Sequence, residues 1–157
     1  MARSVLVSGY YGFGNFGDEA ILSVLVAFLK EAGHRVTVLS SQPERTRDQH
    51  GVAACHRMRD LVPALLKNDV VVSGGGGLLQ DKTSRLSLEY YLTVMRLAKL
   101  VKRRVIVYGQ SLGPLSRSAE RSMVPALRGI PIAVRDTRSQ RYLLSHELSS
   151  TLVADPA

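Results

Sequence analysis

Ser4-Val-Leu-Val-Ser-Gly-Tyr-Tyr-Gly-Phe-Gly-Asn-Phe-Gly-Asp-Glu-Ala20 carries three local structures in succession. Ser4–Ser8 is a short apolar run rich in valine and reads as a buried strand. Glycines at 9, 12, 14 and 17 then break any regular pattern and permit tight turns. Asp18–Ala32 follows as a helix, nearly apolar along one side and stopped by Gly33.

The same succession recurs along the chain without an internal sequence repeat. Further strands are expected at Arg35–Ser40, Asp69–Ser73, Arg104–Tyr108, Ile130–Val134 and Thr151–Ala154. Helices are expected at Met58–Lys67, Leu86–Val101, Ser118–Leu127 and Thr137–Leu144. Pro63 marks a weak point or a late start in the first of these, and Thr137 with Gln140 forms a capping box in the last. Gln42–Gly51 is polar and reads as a loop. Strands apolar throughout are buried on both faces, which predicts a mostly parallel sheet with helices on both sides. The fold class is α/β, a Rossmann-like doubly wound sheet.

The chain's 157 residues suit one such domain, here residues 1–157. Its 45% hydrophobic and 22% charged composition excludes disorder. No apolar run approaches the ~18 residues of a membrane span. A single cysteine, Cys55, excludes an internal disulfide and any multi-cysteine zinc site, and suggests a reducing, cytoplasmic setting. The four histidines are scattered in polar surroundings, read as surface residues, and show no metal spacing.

Charge is uneven. Of a formal +8, residues 1–80 carry eight basic and seven acidic side chains, and residues 81–157 carry thirteen and six. Sixteen of the 21 cations are arginine, the side chain suited to carboxylate and phosphate. Arg96, Lys99, Lys102, Arg103 and Arg104 form a basic knot at a helix end, read either as a solvated C-terminus or as a face for an anionic membrane surface.

In open α/β sheets ligands bind beyond the carboxyl ends of the strands, and the unusual residues collect there. Gly12-x-Gly14-x-x-Gly17 matches a dinucleotide fingerprint, but the next strand ends Leu39-Ser40-Ser41 without a ribose-binding carboxylate. Asp18 and Glu19 in the helix's first turn repel a phosphate seated there and permit a neutral, hydroxyl-rich ligand. Asp18 is either a helix cap or a reactive carboxylate. Gly74, Gly75, Gly76 and Gly77 let the backbone approach a ligand or a neighbouring loop closely. Gln110 and Ser111 are neutral groups suited to sugar hydroxyls. Arg135 either clamps a carboxylate or phosphate or pairs with Asp136 or Asp155.

Five segments together, Gly12–Ala20, Val72–Asp81, Tyr108–Pro114, Val134–Asp136 and Ala154–Ala157, resemble the polysaccharide pyruvyl transferase family, most of all its CsaB branch. The resemblance runs in order along essentially the whole chain. It implies the N-terminal half of a GT-B-like enzyme of two Rossmann-like domains, the C-terminal domain being absent from this chain. It implies transfer of a pyruvyl group from phosphoenolpyruvate, as donor substrate and without a cofactor, to a sugar of a cell-wall polysaccharide. The product is a cyclic ketal, typically on N-acetylmannosamine, that anchors S-layer proteins. In that chemistry Asp18 is the expected general base, Gly14, Asn15 and Gly17 belong to the acceptor loop, and Arg135 is the expected phosphoenolpyruvate ligand. The acceptor is expected to be a polysaccharide or a lipid-linked sugar, met at the inner face of the cell membrane.

Two other readings remain open at this level. One is the N-terminal half of a GT-B glycosyltransferase using a nucleotide sugar. The other is a basic, non-catalytic binding module. Nucleic acid is not expected as a partner, because no aromatic residues alternate with the cations.

Overall fold

Residues 1–155 are described in the computed structural model. The chain runs β1 (Ser4–Ser8), α1 (Phe16–Glu31), β2 (Arg35–Ser40), α2 (Pro43–His50), β3 (Ala53–His56), α3 (Leu61–Lys67), β4 (Val70–Ser73) and β5 (Gly76–Leu79). It continues through α4 (Arg85–Leu100), β6 (Arg104–Leu112), α5 (Arg117–Leu127), β7 (Ile132–Val134), α6 (Thr137–Ser145) and β8 (Thr151–Leu152). The strands form one sheet in the order β3-β2-β1-β4-β6-β7-β8, with β5 paired to the far end of β6. Every pairing is parallel.

Strand alternation divides the core into two layers. Val5, Val7, Val36, Val38, Val70 and Val72 face α1 and pack on Leu22, Leu25, Val26 and Leu29. Leu6, Val71, Val105 and Val107 face the opposite way, onto α3, α4, α5 and α6, through Leu65, Leu92, Met95, Met123 and Leu143. Each such side chain contributes roughly 1.5–3 kcal/mol when fully buried. The doubly wound parallel sheet expected from the apolar runs is the fold observed.

Three elements depart from expectation. Gln42–Gly51 is not a loop: Pro43 opens α2, Glu44 lies in its first turn, and Gly51 ends it in a left-handed conformation. Only Thr46 of this helix is buried, so no apolar period announced it. Ala53–His56 forms the edge strand β3, too short and too poor in β-branched residues to show in the pattern. Gly76–Leu79 forms β5, so half of the four-glycine run is strand rather than loop. At α6 the cap is Asp136, whose side chain accepts the Ser139 N–H, and not the Thr137–Gln140 box. Pro63 sits in the first turn of α3, where its missing N–H has no intrahelical partner to lose, and the helix accordingly starts late, at Leu61. Of the closing Ala154–Ala157 segment, Pro156 and Ala157 lie outside the described residues.

The ends of β1 and β4 are locked together by Tyr11. Its ring is fully buried, and a Cβ at Gly74 would collide with its hydroxyl oxygen. Among the described residues that oxygen has no hydrogen-bond partner. Burial, with Asp18, Tyr91 and Glu19 adding to it, raises the phenol far above its ordinary pKa, so it is a neutral wedge. Gly74→Ala should lower stability by about 1–3 kcal/mol through overpacking. Tyr11→Phe should leave stability unchanged or raise it, since the lost hydroxyl is unpaired, and should restore most of the loss when combined with Gly74→Ala. Urea denaturation of the three variants checks this; additive effects in the double variant would show that the hydroxyl is not the obstacle.

Candidate active site

The β1–α1 loop, residues 9 to 15, lies between two neighbours at the carboxyl edge of the sheet. Asn15 caps α1: its side-chain oxygen accepts the Asp18 N–H at 3.2 Å. Asp18 is therefore not the cap, and its carboxylate is available for another role. Glu19 turns inward. It is buried, accepts the Gly12 N–H at 2.8 Å, and pairs with His50 Nε2 at 2.9 Å. Only one of the two first-turn carboxylates thus faces the ligand side of the loop. His50, read from sequence as a surface residue, has a side chain only 2% exposed, because the Glu19 carboxylate lies over the end of α2.

Asp18 rests against the glycine segment from the other side. A Cβ at Gly76 would stand 3.0 Å from its Oδ1, and Gly76 has φ +114°, a conformation other residues rarely adopt. Close approach and backbone conformation both require glycine there. Burial raises the Asp18 carboxyl above the usual range, Glu19 adds to this, and Arg135 opposes it. Asp18 and Arg135, separated by 117 positions in the chain, therefore share one electrostatic environment.

Gly74, Gly75 and Gly76 are buried, whereas Gly14, Asn15, Gly17 and Gly77 are exposed. Gln110 does not face a ligand. It is fully buried; its amide nitrogen donates to the Gly74 carbonyl and its oxygen accepts the Leu78 N–H at 3.3 Å. It reads as a brace behind the glycine segment, because both of its polar ends already have backbone partners. Ser111 accepts a hydrogen bond from Arg135 Nε at 2.7 Å, so it orients the arginine. Arg135 also pairs with both carboxylate oxygens of Asp155, at 3.2 and 3.1 Å, the pairing that sequence offered as the alternative to an anion clamp. With its side chain 24% exposed, Arg135 is a fixed, partly open guanidinium. Among the described residues no group of three or more His, Cys, Asp or Glu side chains could hold a metal ion.

The family profile for polysaccharide pyruvyl transferase matches residues 15–157. The chain belongs to the polysaccharide pyruvyl transferase family. Among solved structures it is similar in fold to HepE of Anabaena in complex with UDP-glucose, with TM-score 0.63, 9% identity, and coverage of 98% of this chain and 44% of that one. A glycosyltransferase from Rickettsia africae gives TM-score 0.64 and 10% identity, covering 98% of this chain and 43% of that one. At these identities the likeness is one of fold. The chain spans less than half the length of either structure. Among curated proteins none matches this sequence.

Three members of the basic knot bind groups within the protein. Arg96 binds Glu89 and Ser122, Lys99 binds the Ala126 and Arg128 carbonyls, and Arg103 binds the Leu66 carbonyl. These cations tie α4 to α5 and α3. No helix among the described residues is long and apolar enough to cross a membrane.

Sequence reading missed an aromatic–cation cluster beside the site. Tyr10 and Phe13 stack with centroids 4.1 Å apart, and the Arg57 guanidinium lies 5.1 Å from the Phe13 ring and 3.8 Å from the Tyr90 ring. Its members come from three segments, so no local alternation of aromatic and basic residues could reveal it.

A carboxyl whose pKa is raised by folding stabilises the fold in its protonated form. That contribution is present at acid pH and is lost as pH rises through the raised value. Asp18→Asn should therefore melt near wild type below the ordinary carboxylate range and progressively above it toward neutral pH. Melting curves from pH 3 to 7.5 check this; an offset independent of pH would remove the desolvation assigned to Asp18.

Proposed function

We propose that the chain carries the general base and part of the donor site of an enzyme that transfers a pyruvyl group from phosphoenolpyruvate to a sugar. The observation that carries this reading is the half-buried Asp18 carboxylate, set against Gly76 and electrostatically coupled to Arg135, in a chain of this family. A carboxyl raised above its usual range is a better proton acceptor than a solvated one. Asp18 takes the proton of an attacking sugar hydroxyl, whose oxygen bonds to C2 of phosphoenolpyruvate while the methylene carbon gains a proton. A second hydroxyl of the same sugar then adds at C2 as the C2–O bond to phosphate breaks, and its proton leaves on the phosphate. The products are a cyclic ketal and inorganic phosphate. Arg135, held by Ser111 and Asp155, supplies fixed positive charge for the donor's carboxylate or phosphate.

The CsaB-like motifs support an N-acetylmannosamine unit of a cell-wall polysaccharide as the acceptor, with S-layer anchoring as the role and the cytoplasm as the place. A polysaccharide or lipid-linked sugar would bring the acceptor to the domain at the membrane's inner face.

In a full-length family member carrying this domain, Asp18→Asn should reduce acceptor-dependent phosphate release from phosphoenolpyruvate by at least 100-fold with folding intact, the lower range for loss of a general base. Arg135→Ala should raise KM for phosphoenolpyruvate more than KM for the acceptor. Steady-state phosphate assays check both. Release of a nucleotide from a nucleotide sugar, with phosphoenolpyruvate inert, would instead assign the domain to a glycosyltransferase.

A further inference from the structure

Arg57 is an arginine without a carboxylate. It follows β3 and is partly exposed, its guanidinium lies against the Phe13 and Tyr90 rings, and no acidic side chain among the described residues pairs with it. The Tyr90 hydroxyl donates to the Arg57 carbonyl at 2.9 Å, which fixes the backbone as well. Stacking on aromatic faces restrains a guanidinium without neutralising it. A second cation, Arg45 of α2, reaches the same loop: its Nη1 would stand 3.8 Å from a Cβ at Gly14. Arg45 likewise forms no ion pair among the described residues, and it is exposed. Two unpaired guanidinium groups thus flank Phe13-Gly14, and their mutual repulsion favours an anion beside the loop.

The two arginines arise on the other side of β1 from Arg135. Arg45 follows β2 and Arg57 follows β3, whereas Arg135 follows β7, and the strand order places β1 with Asp18 between them. Arg135 acts on the Asp18 carboxyl from the β7 side. Arg135 is held at the β7 side by Ser111 and Asp155, whereas the Arg57 guanidinium lies on Phe13 of the β1 loop. With the donor's anionic groups assigned to Arg135, an anion at Arg57 and Arg45 belongs to a second ligand. Beside it the Phe13 ring, stacked on Tyr10, is 44% exposed and presents apolar surface to a sugar.

We propose that Arg57 and Arg45, with Phe13, form a subsite for the phosphate group of a phosphorylated sugar, whose ring extends toward Asp18. This assignment rests on the reading of Asp18 as facing the acceptor sugar. Arg57 is a binding residue here, not a catalytic one.

The test is direct binding to the chain itself, by calorimetry and by amide chemical shifts, with three probes: an N-acetylhexosamine 1-phosphate, the same sugar without phosphate, and inorganic phosphate. The sugar phosphate should bind at least tenfold tighter than either of the others. Arg57→Gln with Arg45→Gln should abolish that preference while leaving affinity for the free sugar unchanged, and Arg57→Lys should retain only part of it. Equal binding of sugar and sugar phosphate, or a preference that survives the double substitution, would overturn the proposal. Inorganic phosphate binding as tightly as the sugar phosphate would overturn it too, leaving a bare anion site. A spectrum in which the Arg57→Gln loop unfolds would make Arg57 a structural staple; in that case Arg57→Lys and Arg45→Gln decide, and retention of the full preference in both refutes the subsite. None of these readings requires pyruvyl transfer. A preserved preference together with absent phosphate release from phosphoenolpyruvate would reject only the proposed reaction.

Discussion

The backbone from Gly74 to Gly76 is held from three directions, and the geometry of the site depends on that grip. Tyr11 presses on Gly74 from the β1 loop, Gln110 braces the Gly74 carbonyl and the Leu78 N–H from β6, and the Asp18 carboxylate lies against Gly76. Two of these neighbours follow β1 and the third lies in β6, so the path of the segment depends on the pairing of β1, β4 and β6. Glycine is needed at 74 and 76 because protein atoms occupy the space where side chains would stand. Sequence reading assigned that closeness to a ligand or a neighbouring loop; at Gly74 and Gly76 the neighbours are Tyr11 and Asp18. The wedge and the Asp18 carboxylate are therefore coupled through a few residues of backbone, and shifting either one moves the surface on which the other rests.

The parallel sheet was legible because its central strands are apolar on both faces, and burial on both faces leaves no other pattern. The elements that escaped were those whose formation depends on something other than an apolar period. α2 is held by its Pro43 start and Gly51 stop. β3 is an edge strand with one neighbour. β5 is a glycine-rich strand made possible by the end of β6. Strand order was likewise beyond the reach of local pattern, since it is fixed by which crossovers pack, and that order is what sets Asp18 near the middle of the edge.

At the site the residue types were legible and their partners were not. Asp18, Arg135 and the glycines lie at the carboxyl edge, as the strand–loop pattern required. Asn15 takes the cap that could have explained Asp18, Glu19 turns into the protein, and Gln110 and Ser111 hold other protein groups. These assignments are decided by side chains meeting across the sheet edge, over separations of 24 and 36 positions in the cases of Ser111–Arg135 and Gln110–Gly74. A residue's chemistry says what it can bind; its nearest competitor for that bond comes from the fold.

The excess positive charge divides in the same way. The visible knot at the end of α4 is the less informative part, because Arg96, Lys99 and Arg103 are engaged by carbonyls and by Glu89 within the protein. Arg45 and Arg57 come from the half of the chain that is nearly neutral overall, yet among the described residues they form no ion pair and stand beside the β1 loop. A net charge counts cations, whereas recognition depends on those left without an internal partner and held in place. By that criterion the sheet edge has two poles, Arg135 with its Ser111 and Asp155 supports at one side and the Arg45–Arg57 pair at the other, with Asp18 between them. On the proposed reading, such an edge brings two different anionic molecules to one carboxylate, because each pole binds its own partner without competing for the other's.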